Sequence, residues 1–108
     1  MTHHYEYISE KEFLGSVKQE AWIRGWELQY HTWNSKYSDE GFPDLVLVRV
    51  SPAPPRVIYV EVKSEKGGLS AEQWEWLKSL QEAGQEAYLW RPSDEREVSR
   101  VLGGPEDG

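Results

Sequence analysis

Gly41-Phe42-Pro43-Asp44-Leu45-Val46-Leu47-Val48 and Val57-Ile58-Tyr59-Val60-Glu61-Val62-Lys63 are the two stretches on which the fold turns. Each carries an apolar, β-branched run of strand length. Between them Ser51-Pro52-Ala53-Pro54-Pro55 cannot pair inside a sheet, because proline lacks the amide donor, so it forms the tip of a hairpin. The arms run from Pro43 to Val50 and from Arg56 to Lys63. Asp44 opens the first arm, and Glu61 and Lys63 close the second. A hairpin needs none of these charges to fold. Two acids and a lysine at the ends of adjacent strands can hold a divalent cation and prepare a water for attack on phosphate. A ladder of surface ion pairs is the plain alternative, since patterns this short arise by chance.

Strand geometry limits the choices. Residues two apart share a face, which puts Glu61 and Lys63 together with Val57 and Tyr59. Depending on which residues close the tip, Asp44 falls opposite Glu61, Val62 or Lys63. Opposition to Glu61 or Lys63 brings all three charges to one face; opposition to Val62 needs a bulge or twist.

The rest of the chain reads outward from this hairpin. Ser9 with Glu12 is a capping box, and Phe13, Leu14, Val17 and Ala21 follow at helical spacing, so a helix runs from Glu10 to Arg24 and stops at Gly25. Trp26 to Trp33 alternates Trp26, Leu28 and Tyr30 against Glu27, Gln29 and His31, a strand with one wetter face. Thr32 to Gly41 is a polar loop. Beyond Gly67-Gly68, Ser70 with Gln73 makes a second capping box, opening a helix to Ala83. Ala87 to Trp90 is a fourth strand, and strand–helix–strand implies a right-handed crossover to a parallel pair. Pro92-Ser93-Asp94 opens a last helix to Leu102. The fold class is α/β, a mixed central sheet flanked by helices in the order α-β-β-β-α-β. Residues 1–108 form one domain, with flexible ends at 1–8 and 103–108.

Composition narrows the function. The chain has no cysteine, which excludes disulfides and thiolate metal sites. No apolar run has the length of a membrane span and no signal peptide precedes the first helix, so a cytoplasmic protein with no membrane partner is expected. A net charge of −7 argues against nucleic acid at first sight. Its distribution softens the objection: residues 1–40 sum to −3, residues 71–108 to −5, and residues 41–70, which hold the candidate site, to +1. Six Trp and six Tyr supply core area and stacking surfaces. Trp74 and Trp76, two apart on one helix, cannot both enter one core, so one is exposed, for a dimer or a stacked base.

Gly-Phe-Pro-Asp-Leu, then Glu-Val-Lys-Ser-Glu-Lys-Gly, then Leu-Ser-Ala-Glu-Gln resembles the VRR-NUC family of the PD-(D/E)XK nuclease superfamily, from the first helix to the fourth strand. The compact chain is similar to the stand-alone phage or bacterial type. The resemblance implies a restriction-endonuclease-like core and a Mg²⁺- or Mn²⁺-dependent phosphodiesterase acting on DNA, with branched or four-way (Holliday) junction substrates and a homodimer. It implies Asp44, Glu61 and the Val62 carbonyl as metal ligands and Lys63 as the group that orients water. It implies a supporting role for Gln73 and an acid from the first helix, for which Glu20, at the edge of the apolar stripe, is the best match. The arginine-rich first-helix elements of larger relatives are missing here, with only Lys18 and Arg24 nearby.

The other candidates carry weaker signals. His31 ends the first strand near the loop before Asp44, Ser35 and Lys36 lie in that loop, and Lys66 adjoins Gly67-Gly68; all four are candidate substrate contacts. The alternative function from a different class is a catalytically inactive nuclease-fold module that binds DNA or protein.

Overall fold

A computed structural model describes residues 4–32 and 39–103. The elements are a 3₁₀ turn at Tyr5–Tyr7, α1 at Glu10–Ile23, β1 at Leu28–His31, β2 at Leu45–Arg49, β3 at Arg56–Val62, α2 at Ala71–Glu82, β4 at Glu86–Trp90, a 3₁₀ turn at Pro92–Asp94 and α3 at Glu95–Gly103. The strands form one sheet in the order β1-β2-β3-β4. β1, β2 and β3 are antiparallel neighbours, and β4 joins β3 in parallel after the α2 crossover. This is the mixed α/β sheet with flanking helices that the sequence predicts.

Both capping boxes form. The Ser9 hydroxyl accepts from the Glu12 amide at 3.0 Å while the Glu12 carboxylate accepts from the Ser9 amide at 3.0 Å. Ser70 and Gln73 do the same for α2, at 3.1 and 2.9 Å. Each box satisfies two donors that a helix start leaves without partners.

The main core lies between α1, α3 and one face of the sheet. Phe13, Val17 and Ala21 project from α1 at four-residue spacing onto Leu45, Leu47, Ile58, Val60 and Val62, and Val98, Val101 and Leu102 close it from α3. Each fully buried aliphatic side chain here contributes roughly 1.5–3 kcal/mol. Trp26 follows α1 without entering a strand; it is wholly buried, and its indole N–H donates to the Leu102 carbonyl at 2.9 Å. Arg49 continues the Leu45–Leu47 alternation into this core at 2% exposure. Its guanidinium lies over the Trp26 ring, 4.8 Å from the centroid, and donates to the carbonyls of Arg24 and Leu102, where α1 and α3 end. A cation suits both helix C-termini.

On the second face, α2 covers Tyr59 and Ala87. Phe42 bridges the two layers, edge-on to Trp76 at 5.0 Å and to Tyr59 at 6.3 Å between centroids. Trp74 is exposed, as the two-residue spacing requires.

One expectation needs correction. The apolar members of β1 do not enter the core: Leu28 and Tyr30 are exposed, on the face that α2 leaves open, beside Val57. Gln29 and His31 take the α1 side, and the Gln29 amide donates to the Lys18 carbonyl at 3.0 Å. Alternation sets two faces without saying which one a helix covers. Residues 5–7 form a turn, and Gly103 is a buried helical residue. Residues 104–108 lie outside the described residues.

Candidate metal centre

The β2–β3 register pairs Leu45 with Val60, and one step further Asp44 meets Glu61. Of the three alignments left open by the sequence, this one brings the charges to one face without a bulge. The Asp44 carboxylate accepts the Val62 amide at 2.7 Å, continuing the ladder with a side-chain oxygen where the backbone pairing ends. The N–H and C=O of a strand residue point to the same side, so the Val62 carbonyl faces the Asp44 edge as well.

Glu61 is almost fully buried. Its Oε2 accepts from the Gln73 amide nitrogen at 3.1 Å and lies 4.0 Å from the Lys63 ammonium. Burial is the main reason its pKa rises, to about 8, with the Asp44 charge and a hydrogen bond between the two carboxyls adding to the effect. Lys63 opposes the rise, and the carboxylate of Glu10 reinforces it.

The supports of the site are built from close backbone contacts. Thr32 donates from its amide to the Asp44 carbonyl at 2.8 Å and from its hydroxyl to the Pro43 carbonyl at 2.7 Å, which fixes the start of β2. Gly41, at φ +88°, passes the first turn of α2 so closely that a Cβ would stand 2.5 Å from the Glu72 carbonyl carbon. Only glycine accepts both the backbone angle and the contact. Gln73 uses one end of its amide in the capping box and the other on Glu61.

Asp44, Glu61, Lys63 and Gln73 therefore converge. Glu20 does not join them. Its carboxylate accepts from the Arg24 guanidinium at 3.0 Å and the Ser99 hydroxyl at 2.7 Å, in a groove with Ser16, Gln19 and Ile23. The first-helix acid felt at Glu61 is Glu10. Ten residues of helix separate the two, roughly 15 Å. Position along the axis sets Glu20 apart from the acid pair. Among the described residues no group of three or more His, Asp or Glu converges as a ligand set.

The candidate substrate contacts spread out. His31 pairs with Leu45 and so belongs to the α1 face, opposite that of Asp44. Lys66 is exposed and lies 3.5 Å from the Glu6 carboxylate. Ser35 and Lys36 lie outside the described residues. Thr32, in a polar loop by sequence, and Glu10, the first residue of a helix, carry no site motif of their own. Glu10 had a local signal: it follows the cap residue of the helix.

The donor set suits a hard divalent cation. Two carboxylates pressed together, one of them retaining its proton to about pH 8, repel when both ionise, and a cation between them removes the conflict. A mixed sheet between helices, with this acid pair and lysine at the strand ends, defines a nuclease-like α/β core. The VRR-NUC domain matches the chain over residues 8–93, and the chain belongs to that family. No curated protein and no solved structure matches it. Membership makes the protein a nuclease in general terms, with DNA as its partner. No helix among the described residues is long and apolar enough to cross a membrane.

Proposed function

We propose that the protein is a Mg²⁺- or Mn²⁺-dependent DNA endonuclease selective for branched or junction DNA, acting as a homodimer. The single observation behind this reading is the convergence of Asp44, Glu61 and Lys63 around a buried carboxylate whose proton a metal would displace. Asp44, Glu61 and the Val62 carbonyl would hold the ion. Bound there, the ion would supply charge neutralisation for the phosphate and a lowered pKa for an attacking water.

The chain's own residues do the rest. Gln73 fixes the Glu61 carboxylate from α2, and the Asp44–Val62 bond keeps the two strand ends in register. Lys63, held against Glu61 and largely buried, presents its ammonium where a water must be oriented and where negative charge develops. Exposed Trp74 and Trp22 offer flat apolar surface to a second copy or to bases. A symmetric dimer supplies two such sites, which suits paired nicks.

The test is cleavage of end-labelled linear duplex, single strand, flap and four-way junction with Mn²⁺ or Mg²⁺, beside Lys63→Ala. Cleavage by the wild type and none by the variant is expected, with branched DNA preferred. A folded wild type that binds neither metal nor cuts any substrate would support the inactive nuclease-fold module instead. Gel filtration showing only monomer would refute the dimer.

A further inference from the structure

Arg91 directly follows β4, and by sequence it is merely the last member of the aromatic cluster Tyr88-Leu89-Trp90-Arg91. Its Nη1 donates to three carbonyls of one short loop: Ser64 at 2.8 Å, Glu65 at 3.2 Å and Gly67 at 2.6 Å. Three carbonyl dipoles aimed at one point repel one another unless a cation sits there. The loop is also closed by its own turn bond, the Gly67 amide donating to the Ser64 carbonyl at 3.2 Å. Around this contact, the Ser93 amide donates to the Glu65 carboxylate at 3.1 Å, and the Arg91 amide donates to Asp94 at 2.8 Å.

This loop leaves β3 immediately after Lys63. The Lys63 amide donates to the Trp90 carbonyl at 3.1 Å, and the carbonyl of the following residue, Ser64, is held by Arg91. The backbone is thus pinned on both sides of Lys63 by consecutive residues of the β4 end. The backbone contacts set the direction in which the Lys63 side chain leaves the strand, and its ammonium lies 4.0 Å from the Glu61 carboxylate.

We propose that Arg91 is a positioning residue of the nuclease site, its guanidinium holding the 64–67 loop so that Lys63 stays directed at Glu61. The role rests on the nuclease reading of that site. Arg91 itself touches neither Glu61 nor Lys63 by a side-chain bond; it acts through the backbone.

The experiment compares wild type, Arg91→Ala and Arg91→Lys by steady-state cleavage with Mn²⁺, by Mn²⁺ calorimetry and by amide exchange across residues 63–68. Lysine keeps the charge and offers three N–H groups on a shorter arm, which guards against a fold-wide loss in the alanine variant. In Arg91→Ala, kcat falls roughly 10- to 100-fold, the usual range for outer supports of a metal site. KM changes little, and exchange at 64–67 accelerates. Arg91→Lys recovers part of both. Wild-type kcat and wild-type exchange in Arg91→Ala would overturn the inference, as would a change in KM alone, which would make Arg91 a substrate contact. If the variants match a cleaving wild type, only the role of Arg91 fails. If the wild type neither cleaves nor binds Mn²⁺, the nuclease reading fails and the role of Arg91 in it fails too.

Discussion

Replacing Glu61 by glutamine tests the electrostatics of the site without any substrate. The folded protein holds the Glu61 proton to about pH 8, whereas the ordinary value is 4.5. Between those values the folded state binds a proton that the unfolded chain has released. Stability from this source is complete below pH 4.5 and is lost as pH rises through 8. At about 1.4 kcal/mol per pKa unit the shift has a ceiling of roughly 5 kcal/mol. If relaxation and water entry halve it, roughly 2 kcal/mol remains, or about 10 °C in Tm for a domain of this size. Glutamine is shaped like the protonated acid. Its oxygen can accept from Gln73 and its amide can donate to Asp44, yet it has no proton to release. In urea unfolding with EDTA, followed by tryptophan fluorescence from pH 5 to 9, the wild type loses stability as pH rises. Glu61→Gln stays flat and is the more stable protein at pH 8. Mg²⁺ should stabilise the wild type more at pH 8 than at pH 6, since binding must displace a proton, and should add little to the variant. A flat wild-type profile, or an equal slope in both proteins, would refute the account of a buried, proton-retaining acid pair.

Three further outcomes follow from the same geometry. Asp44→Ala leaves the Val62 amide without its acceptor and should cost about 1–3 kcal/mol by chemical denaturation, together with all stabilisation by Mn²⁺; Asp44→Asn should recover most of the stability but not the metal effect. Gly41→Ala forces a side chain into a positive-φ position 2.5 Å from α2 and should lower stability by at least about 2 kcal/mol, read as a shift of the urea midpoint at constant m-value. Thr32→Val removes the hydroxyl bond to Pro43 while preserving shape; it should cost about 1 kcal/mol and reduce cleavage more than Glu20→Gln, which should leave cleavage unchanged.

Much of the fold was legible because its signals are local. Ser9–Glu12 and Ser70–Gln73 mark helix starts within four residues, and the Pro-rich stretch at 51–55 marks a hairpin tip by chemistry alone. The acid–acid–lysine set was legible once the hairpin was, since pairing brings Asp44 to Glu61 across one ladder. What escaped depends on contacts far apart in sequence. The outward turn of Leu28 and Tyr30 is decided by Gln29 reaching α1. Glu20 lies at the edge of the apolar stripe, but its carboxylate is taken up by Arg24 and Ser99. Arg91 gained its place from carbonyls some 24 to 27 positions earlier. No periodicity reports a guanidinium threaded into a loop.

The absent side chain of Gly41 has a wider consequence. Because Gly41, just before the Pro-Asp pair, lies against the backbone of the first turn of α2, the segment leading to Asp44 and the helix carrying Gln73 are packed together at that point. Parting α2 from the sheet breaks this contact and also removes Phe42 from between Trp76 and Tyr59. Fluctuations of the site and unfolding of the domain become one cooperative event, so amide exchange at Val62 should report the global stability rather than a local breathing motion.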